Sequence, residues 1–332
     1  MAKQGVLLLA HGTPETVEQI PEYLRNVVSG RPMPQHVVEE IQHRYSLIGR
    51  SPLTDITREQ GRLVEEELAA MGQPVPVYIG MRNWRPYIPD VVKQMRSDRV
   101  EAAAVICLAP QNSRTSVGLY KRAVQAEAGS VRIDFTEGWA SHPLLADAFA
   151  ERLRAAQTKL TAETGAPVPV LFTAHSVPTR TIQPPPAAEA ASQPRLWPGE
   201  GADPYADDAR RTAELVAARV PEIPKWWFAF QSQGASGGPW IGPTVEETLD
   251  SIAAEGVKTV LLQPIGFLCD HVEILYDVDI AFREHGTNLG IRLERPESLN
   301  ASITLARAIA DLAAQGLARL DAASSGISEP KE

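Results

Sequence analysis

Cysteine is nearly missing: the 332 residues include two, Cys107 and Cys269. Two thiols cannot make a disulfide framework or a four-thiolate zinc or iron–sulfur site, and a reducing cytoplasm is the simpler location for such a chain. Positive charge is also in deficit, with 32 Lys plus Arg against 41 Asp plus Glu and a net charge of −9. That balance argues against non-specific nucleic-acid binding, which rests on clustered cations. No run of 18 apolar residues occurs, so a spanning helix is not expected. The apolar stretch ending at Ala10 is too short for a secretion signal. Peripheral membrane contact is left open. What is present is an ordinary globular composition, 44 % hydrophobic and 22 % charged, in a chain longer than one core usually handles.

Short aliphatic runs alternate with longer helical patterns, as in an α/β protein with a mostly parallel sheet. The runs are 5–10, 75–80, 101–109, 131–136, 168–174, 226–231, 257–264 and 290–295. They are continuous rather than alternating, which fits strands buried on both faces. Helical patterns cover 57–70 and 144–160, and Thr244 with Glu247 reads as a capping box. An internal echo organises the whole. Ala10-His11-Gly12-Thr13-Pro14 and Ala174-His175-Ser176-Val177-Pro178 share the pattern A-H-small-x-P. LAPQNSRTSVGLY (108–120) answers LQPIGFLCDHVEILY (262–276), and YIGMRNWRP (78–86) answers FAFQSQGASGGPW (228–240). The chain therefore reads as two similar four-stranded α/β halves, 1–160 and 161–322, with a frayed tail at 323–332. Two segments break the rhythm: a long excursion at 13–53 and a proline- and alanine-rich insertion at 183–204.

Ligands in open α/β sheets sit beyond the carboxyl ends of strands, where His11, His175 and the segment Asp270–Asp277 fall. Imidazole accepts protons near neutrality and binds borderline metals. Asp270 through Asp277 reads as the start of a helix, with Asp270 as N-cap and Glu273 completing a capping box. Glu273 and Asp277, four apart, share a face that can pass a divalent cation, whereas His271 and Glu273, two apart, should diverge. Taken alone, the structural account of Glu273 is the stronger. Arg31, Arg44, Arg50 and Tyr45 could clamp a carboxylate, and Cys269 reads as a small core residue. The glycine-rich 234–238 matches neither a dinucleotide fingerprint nor a P-loop.

Three stretches carry a family resemblance: LFTAHSVP (171–178), PWIGPTVEETL (239–249) and LLQPIGFLCDHVEILYDVDI (261–280). Together they closely resemble ferrochelatases, in order from GVLLLAHGTPE (5–15) to near Leu320. The resemblance implies two Rossmann-like halves, each a four-stranded parallel sheet flanked by helices, around a porphyrin cleft. It implies insertion of ferrous iron into coproporphyrin III or protoporphyrin IX in haem synthesis. It gives His175 and Glu273, facing each other across the macrocycle, as catalytic and metal-handling residues, and Asp277 as the next acid on a metal path. Which of His175 and Glu273 is base and which is ligand stays undecided. Arg44, Tyr45, Ser51 and Tyr120 match porphyrin-contacting positions. His11 stands where the soluble bacterial branch usually has a tyrosine able to contact product iron. Val28 replaces an arginine near a propionate, with Arg31 close by, and Ala281 replaces a third acid. No cofactor is implied beyond the substrate iron, and no iron–sulfur cluster. A tetrapyrrole chelatase for cobalt or nickel, and a porphyrin-binding protein without catalysis, are the alternatives.

Overall fold

The computed structural model describes residues 2–183, 202–234 and 238–324. Most of the insertion at 183–204, residues 235–237 of the glycine-rich turn and the tail past 324 lie outside them. The first half runs β1 (Gln4–Ala10), α1 (Ile20–Val27), α2 (Gln35–Ile48), α3 (Leu53–Ala70), β2 (Val77–Met81), α4 (Ile88–Ser97), β3 (Ala102–Cys107), α5 (Val117–Glu127), β4 (Arg132–Thr136) and α6 (Pro143–Thr164). The second runs β5 (Val170–His175), α7 (Thr179–Ile182), α8 (Tyr205–Arg219), β6 (Trp226–Gln231), α9 (Val245–Ala254) and β7 (Thr259–Pro264). A π-helix, α10 (Glu273–Phe282), then continues as α11 (Arg283–Asn288), followed by β8 (Arg292–Glu294) and α12 (Ile303–Ser324). Each expected strand forms within a few residues of its reading, and the excursion at 13–53 holds α1 and α2.

The echo is a topological duplication. One sheet has the order β2-β1-β3-β4 and the other β6-β5-β7-β8, the same order counted within each half, and every pairing is parallel. Along β1 the side chains alternate between two cores. Val6 and Leu8 face a central core shared with Ile106, Phe149, Phe172 and Ala174, whereas Leu7 and Leu9 face an outer core with Ile88, Met95 and Val124. The second sheet has its own outer core, where Leu171, Leu262, Leu249 and Ile274 meet. Both faces of each sheet are therefore dry, which is why the strand sequences are unbroken apolar runs.

α12 does not stay with the sheet that precedes it. It packs on β3 and β4 of the first sheet and against α3 and α6. Gly316 permits the approach: a Cβ there would lie 3.0 Å from Ala104 Cβ on β3 and 2.9 Å from Asp134 Oδ1 on β4. The Thr244 capping box forms as read, with Thr244 Oγ1 accepting from Glu247 N–H at 3.1 Å and Glu247 returning to Thr244 N–H at 2.9 Å. Among the described residues no helix is long and apolar enough to cross a membrane.

Candidate active site between the two sheets

In each sheet the first strand of the half is flanked by the second and third, so connections leave it in opposite directions and open a crevice at its carboxyl end. His11 follows β1 and His175 ends β5, and both side chains line one cavity of about 300 Å³. Tyr45, Tyr120 and Glu273 line it too. The turn after His11 needs glycine: Gly12 has φ +83°, and a Cβ would come within 2.9 Å of Trp84 backbone N.

His175 and Glu273 meet directly, which corrects the expectation that they face each other across a ring: at contact distance no macrocycle fits between them. Nε2 of His175 lies 3.4 Å from Glu273 Oε1, with each side chain about a third exposed. His175 Nδ1 points to the Ser176 carbonyl, and Tyr205 Oη donates to the His175 carbonyl at 2.8 Å, so ring and backbone are both held. Burial acts to strip the ring of its proton, but the Glu273 carboxylate outweighs it and lifts the imidazole to about 9. Burial likewise works against the Glu273 charge, and the two neighbouring imidazoles, His175 first and then His271, hold its carboxyl well below the ordinary range. At neutral pH the free site is thus an imidazolium–carboxylate pair.

The local reading of 270–277 needs two corrections. Asp270 is not the helix N-cap: its carboxylate accepts from Ser298 Oγ at 2.7 Å and Asn300 Nδ2 at 2.9 Å and sits 3.2 Å from Arg295 Nη2. His271 and Glu273 do not diverge, because His271 precedes the helix; its Nδ1 lies 3.0 Å from the Cys269 carbonyl and its Nε2 3.6 Å from Glu273 Oε2. The helix itself is π rather than α, a form enriched at functional sites.

Asp277 is buried and is not among the residues lining the cavity. It accepts from Ser232 Oγ and from Arg44 Nη1, the latter at 3.1 Å. Burial and the nearby Glu273 charge raise its carboxyl to about 6. Arg44 is also off the wall, and Ser51 is buried with a hydroxyl that has no partner. Tyr45 Oη pairs with Thr13 Oγ1 at 2.8 Å, and burial pushes its phenol up to about 12. His11 has Asn83 Nδ2 at 3.1 and 3.2 Å from its ring nitrogens, and burial with the Arg82 charge lowers it to about 3, a neutral imidazole. Arg31 and Arg50 are exposed, on the Val28 carbonyl and Asp55 respectively, and do not line the cavity. Cys269 is buried, its thiol pushed to about 12. Among the described residues no three His, Cys, Asp or Glu side chains form a metal-holding cluster.

The sequence reading passed over Arg82, which lines the cavity beneath Tyr120 (guanidinium 5.2 Å from the ring centroid) with Nη1 buried and unpartnered. Its signal was available: Arg82 and Asn83 are polar residues immediately after β2, in the segment that echoes 228–240. Tyr205, on the cavity wall, had no such signal because it enters from a helix.

The ferrochelatase family model matches residues 3–317. The chain belongs to the ferrochelatase family. It is 61 % identical over 322 residues to a ferrochelatase of Acidobacterium capsulatum, covering 96 % of each chain. It is 34 % identical to a coproporphyrin III ferrochelatase of Mycolicibacterium vanbaalenii, over 94 % of this chain and 89 % of that one. In three dimensions it resembles the sirohydrochlorin chelatase of Bacillus subtilis subspecies spizizenii, solved in complex with cobalt, with a TM-score of 0.54 and 11 % identity over 96 % and 97 % of the chains. That likeness concerns the fold: two parallel four-stranded sheets flanked by helices. As a ferrochelatase the chain inserts ferrous iron into a porphyrin, the metallation step of haem synthesis.

Proposed function

We propose that His175 and Glu273 are the groups through which this ferrochelatase exchanges protons for iron. The observation that carries the reading is their 3.4 Å contact on the wall of the cavity between the two sheets. Metallation adds Fe(II) and releases two pyrrole protons, so the site must deliver two positive charges and accept two. A cation drawn to Glu273 cancels the field that keeps His175 protonated, so the imidazolium gives its proton to solvent and the neutral ring then takes the two pyrrole protons one at a time, passing each on to solvent. Proton uptake and iron delivery are thereby tied to one carboxylate. Asp277, a helical turn further on, is the acid that receives iron before Glu273. Iron is substrate throughout, and the reading includes no resident cofactor.

Porphyrin carboxylates need donors that the free protein leaves unsatisfied, because buried polar groups are otherwise paired. Arg44 Nε, Ser51 Oγ and Arg82 Nη1 are buried without partners, and Arg82 lines the cavity, which supports these three as donors for such carboxylates. Tyr45 and Tyr120 supply flat walls, and the neutral His11 faces the ring from the first half. The two free, buried thiols fit a reducing cytoplasm, the location we assign.

The test is anaerobic Fe(II) insertion followed by loss of porphyrin fluorescence. His175→Ala should abolish turnover while circular dichroism stays native; substantial remaining activity would overturn the assignment. Running coproporphyrin III and protoporphyrin IX side by side identifies the physiological ring as the one with the higher kcat/KM.

A further inference from the structure

An ion pair, Arg44 with Asp277, joins the two halves of the chain. Arg44 belongs to α2 of the first half and Asp277 to α10 of the second, and Arg44 Nη1 donates to Asp277 Oδ1 at 3.1 Å. The Asp277 side chain is 8 % exposed and that of Arg44 27 %. Arg44 Nη2 is on Glu40, and the guanidinium lies 4.8 Å from the Tyr276 ring centroid. Its third nitrogen, Nε, is buried with no acceptor. The next residue, Tyr45, lines the cavity. Asp277 has a second anchor that does not depend on Arg44: Ser232 Oγ donates to Oδ2, from a backbone held at φ +63°, a conformation serine adopts only where its surroundings impose it.

We propose that Arg44 couples porphyrin binding to iron loading, a porphyrin carboxylate taking the guanidinium from Asp277 and leaving Oδ1 of Asp277 free for Fe(II). The inference rests on the reading that Arg44 meets a porphyrin carboxylate and that Asp277 receives iron. In the free protein a cation approaching Asp277 meets a positive guanidinium already on the ligand oxygen. A third carboxylate at Arg44, beside Glu40 and Asp277 and engaging the idle Nε–H, offsets that charge and competes for Nη1. Ser232 then keeps Asp277 oriented through Oδ2. No covalent bond changes; one carboxylate replaces another. The coupling is reciprocal, so a cation on Asp277 also frees Arg44 and favours the porphyrin.

The experiment measures Co(II) binding to the metal-free protein by equilibrium dialysis, alone and with saturating gallium(III) coproporphyrin, whose filled ring cannot take the metal. The tetramethyl ester of the same complex is the control without carboxylates. For the wild type, the acid form should tighten Co(II) binding about tenfold, within the range of about 5–150-fold that site–site couplings span, and the ester should not. Arg44→Met should bind Co(II) in the free protein as tightly as the porphyrin-loaded wild type, with no further gain on adding porphyrin. Arg44→Lys keeps the charge and should keep free-state Co(II) binding weak. Equal tightening by acid and ester, or an Arg44→Met protein with wild-type Co(II) affinity and an intact porphyrin effect, overturns the coupling. Failure of the underlying reading shows differently: unchanged porphyrin affinity in Arg44→Met removes the carboxylate contact, and unchanged Co(II) affinity in Asp277→Asn removes the iron site.

Discussion

Replacing Glu273 by glutamine keeps the size of the side chain and removes the charge 3.4 Å from His175 Nε2. At an effective dielectric of 20, two unit charges at that distance attract by about 5 kcal/mol, a gross figure before desolvation. The net lift of His175 from 6.5 to about 9 corresponds to about 3 kcal/mol at about 1.4 kcal/mol per unit. Both side chains are about a third exposed, so solvent screening brings the pair's share of stability to about 1–2 kcal/mol. With the carboxylate gone, burial, the largest influence on His175, acts with little opposition, and its titration should fall by more than about two units, to 6.5 or below. The assay is an NMR titration of imidazole resonances, His175 being assigned by its loss in His175→Gln. The sign for stability follows from the direction of each shift. His175 is raised, so its contribution is complete below pH 6.5 and is lost as pH rises through about 9. Glu273 is lowered, so its contribution is present above about 4.5 and is lost as pH falls through its folded value. The pair is therefore fully stabilising between about pH 4.5 and 6.5, and Glu273→Gln should lose most stability there. A His175 midpoint that stays above 8 in the variant would refute the reasoning.

Three further outcomes follow from the same geometry. Arg295 donates through Nε and Nη2 to both oxygens of Asp279, at 2.7 and 2.8 Å, and lies 3.2 Å from Asp270; it is 13 % exposed. Arg295→Met removes the nearest cation from two partly buried carboxylates, leaving Asp279 with Arg283 at 3.7 Å and Asp270 with Ser298 and Asn300. It should cost about 2 kcal/mol in urea unfolding, with reduced iron insertion because α10 loses an anchor; a cost below about 0.5 kcal/mol, on the order of an exposed pair, would contradict this. Gly316→Ala would gain about 1 kcal/mol in an exposed helix, but here the new methyl presses on Ala104 and Asp134, so thermal melts should show a net loss of about 1 kcal/mol. His11 is lowered to about 3, so the folded state resists its protonation and stability falls as pH drops from 6.5 toward 3. His11→Gln should make the unfolding free energy less steep across that interval by up to one proton, measured by urea midpoints at a series of pH values; identical slopes would show that the ring is charged in the folded state.

The sequence alone determined the architecture. Continuous apolar runs can satisfy only strands covered on both faces, and the repeated A-H-small-x-P marked His11 and His175 as equivalent strand ends, which the matching strand orders bear out. Thr244 and Glu247 were legible because a capping box is a contact between near neighbours in the chain. Where partners are distant, local spacing misled. Asp270 three residues before Glu273 looked like a cap, yet its partners are Arg295, Ser298 and Asn300. His271 and Glu273 were separated on an assumed helix that starts only at Glu273. No periodicity distinguishes a π-helix from an α-helix over ten residues, nor shows that α12 returns to the first sheet. The His175–Glu273 and Arg44–Asp277 pairs were decided only when two halves, each specified by its own pattern, closed on a common core. Hydrophobic burial sets that closure, and charges far apart in the chain meet as its consequence.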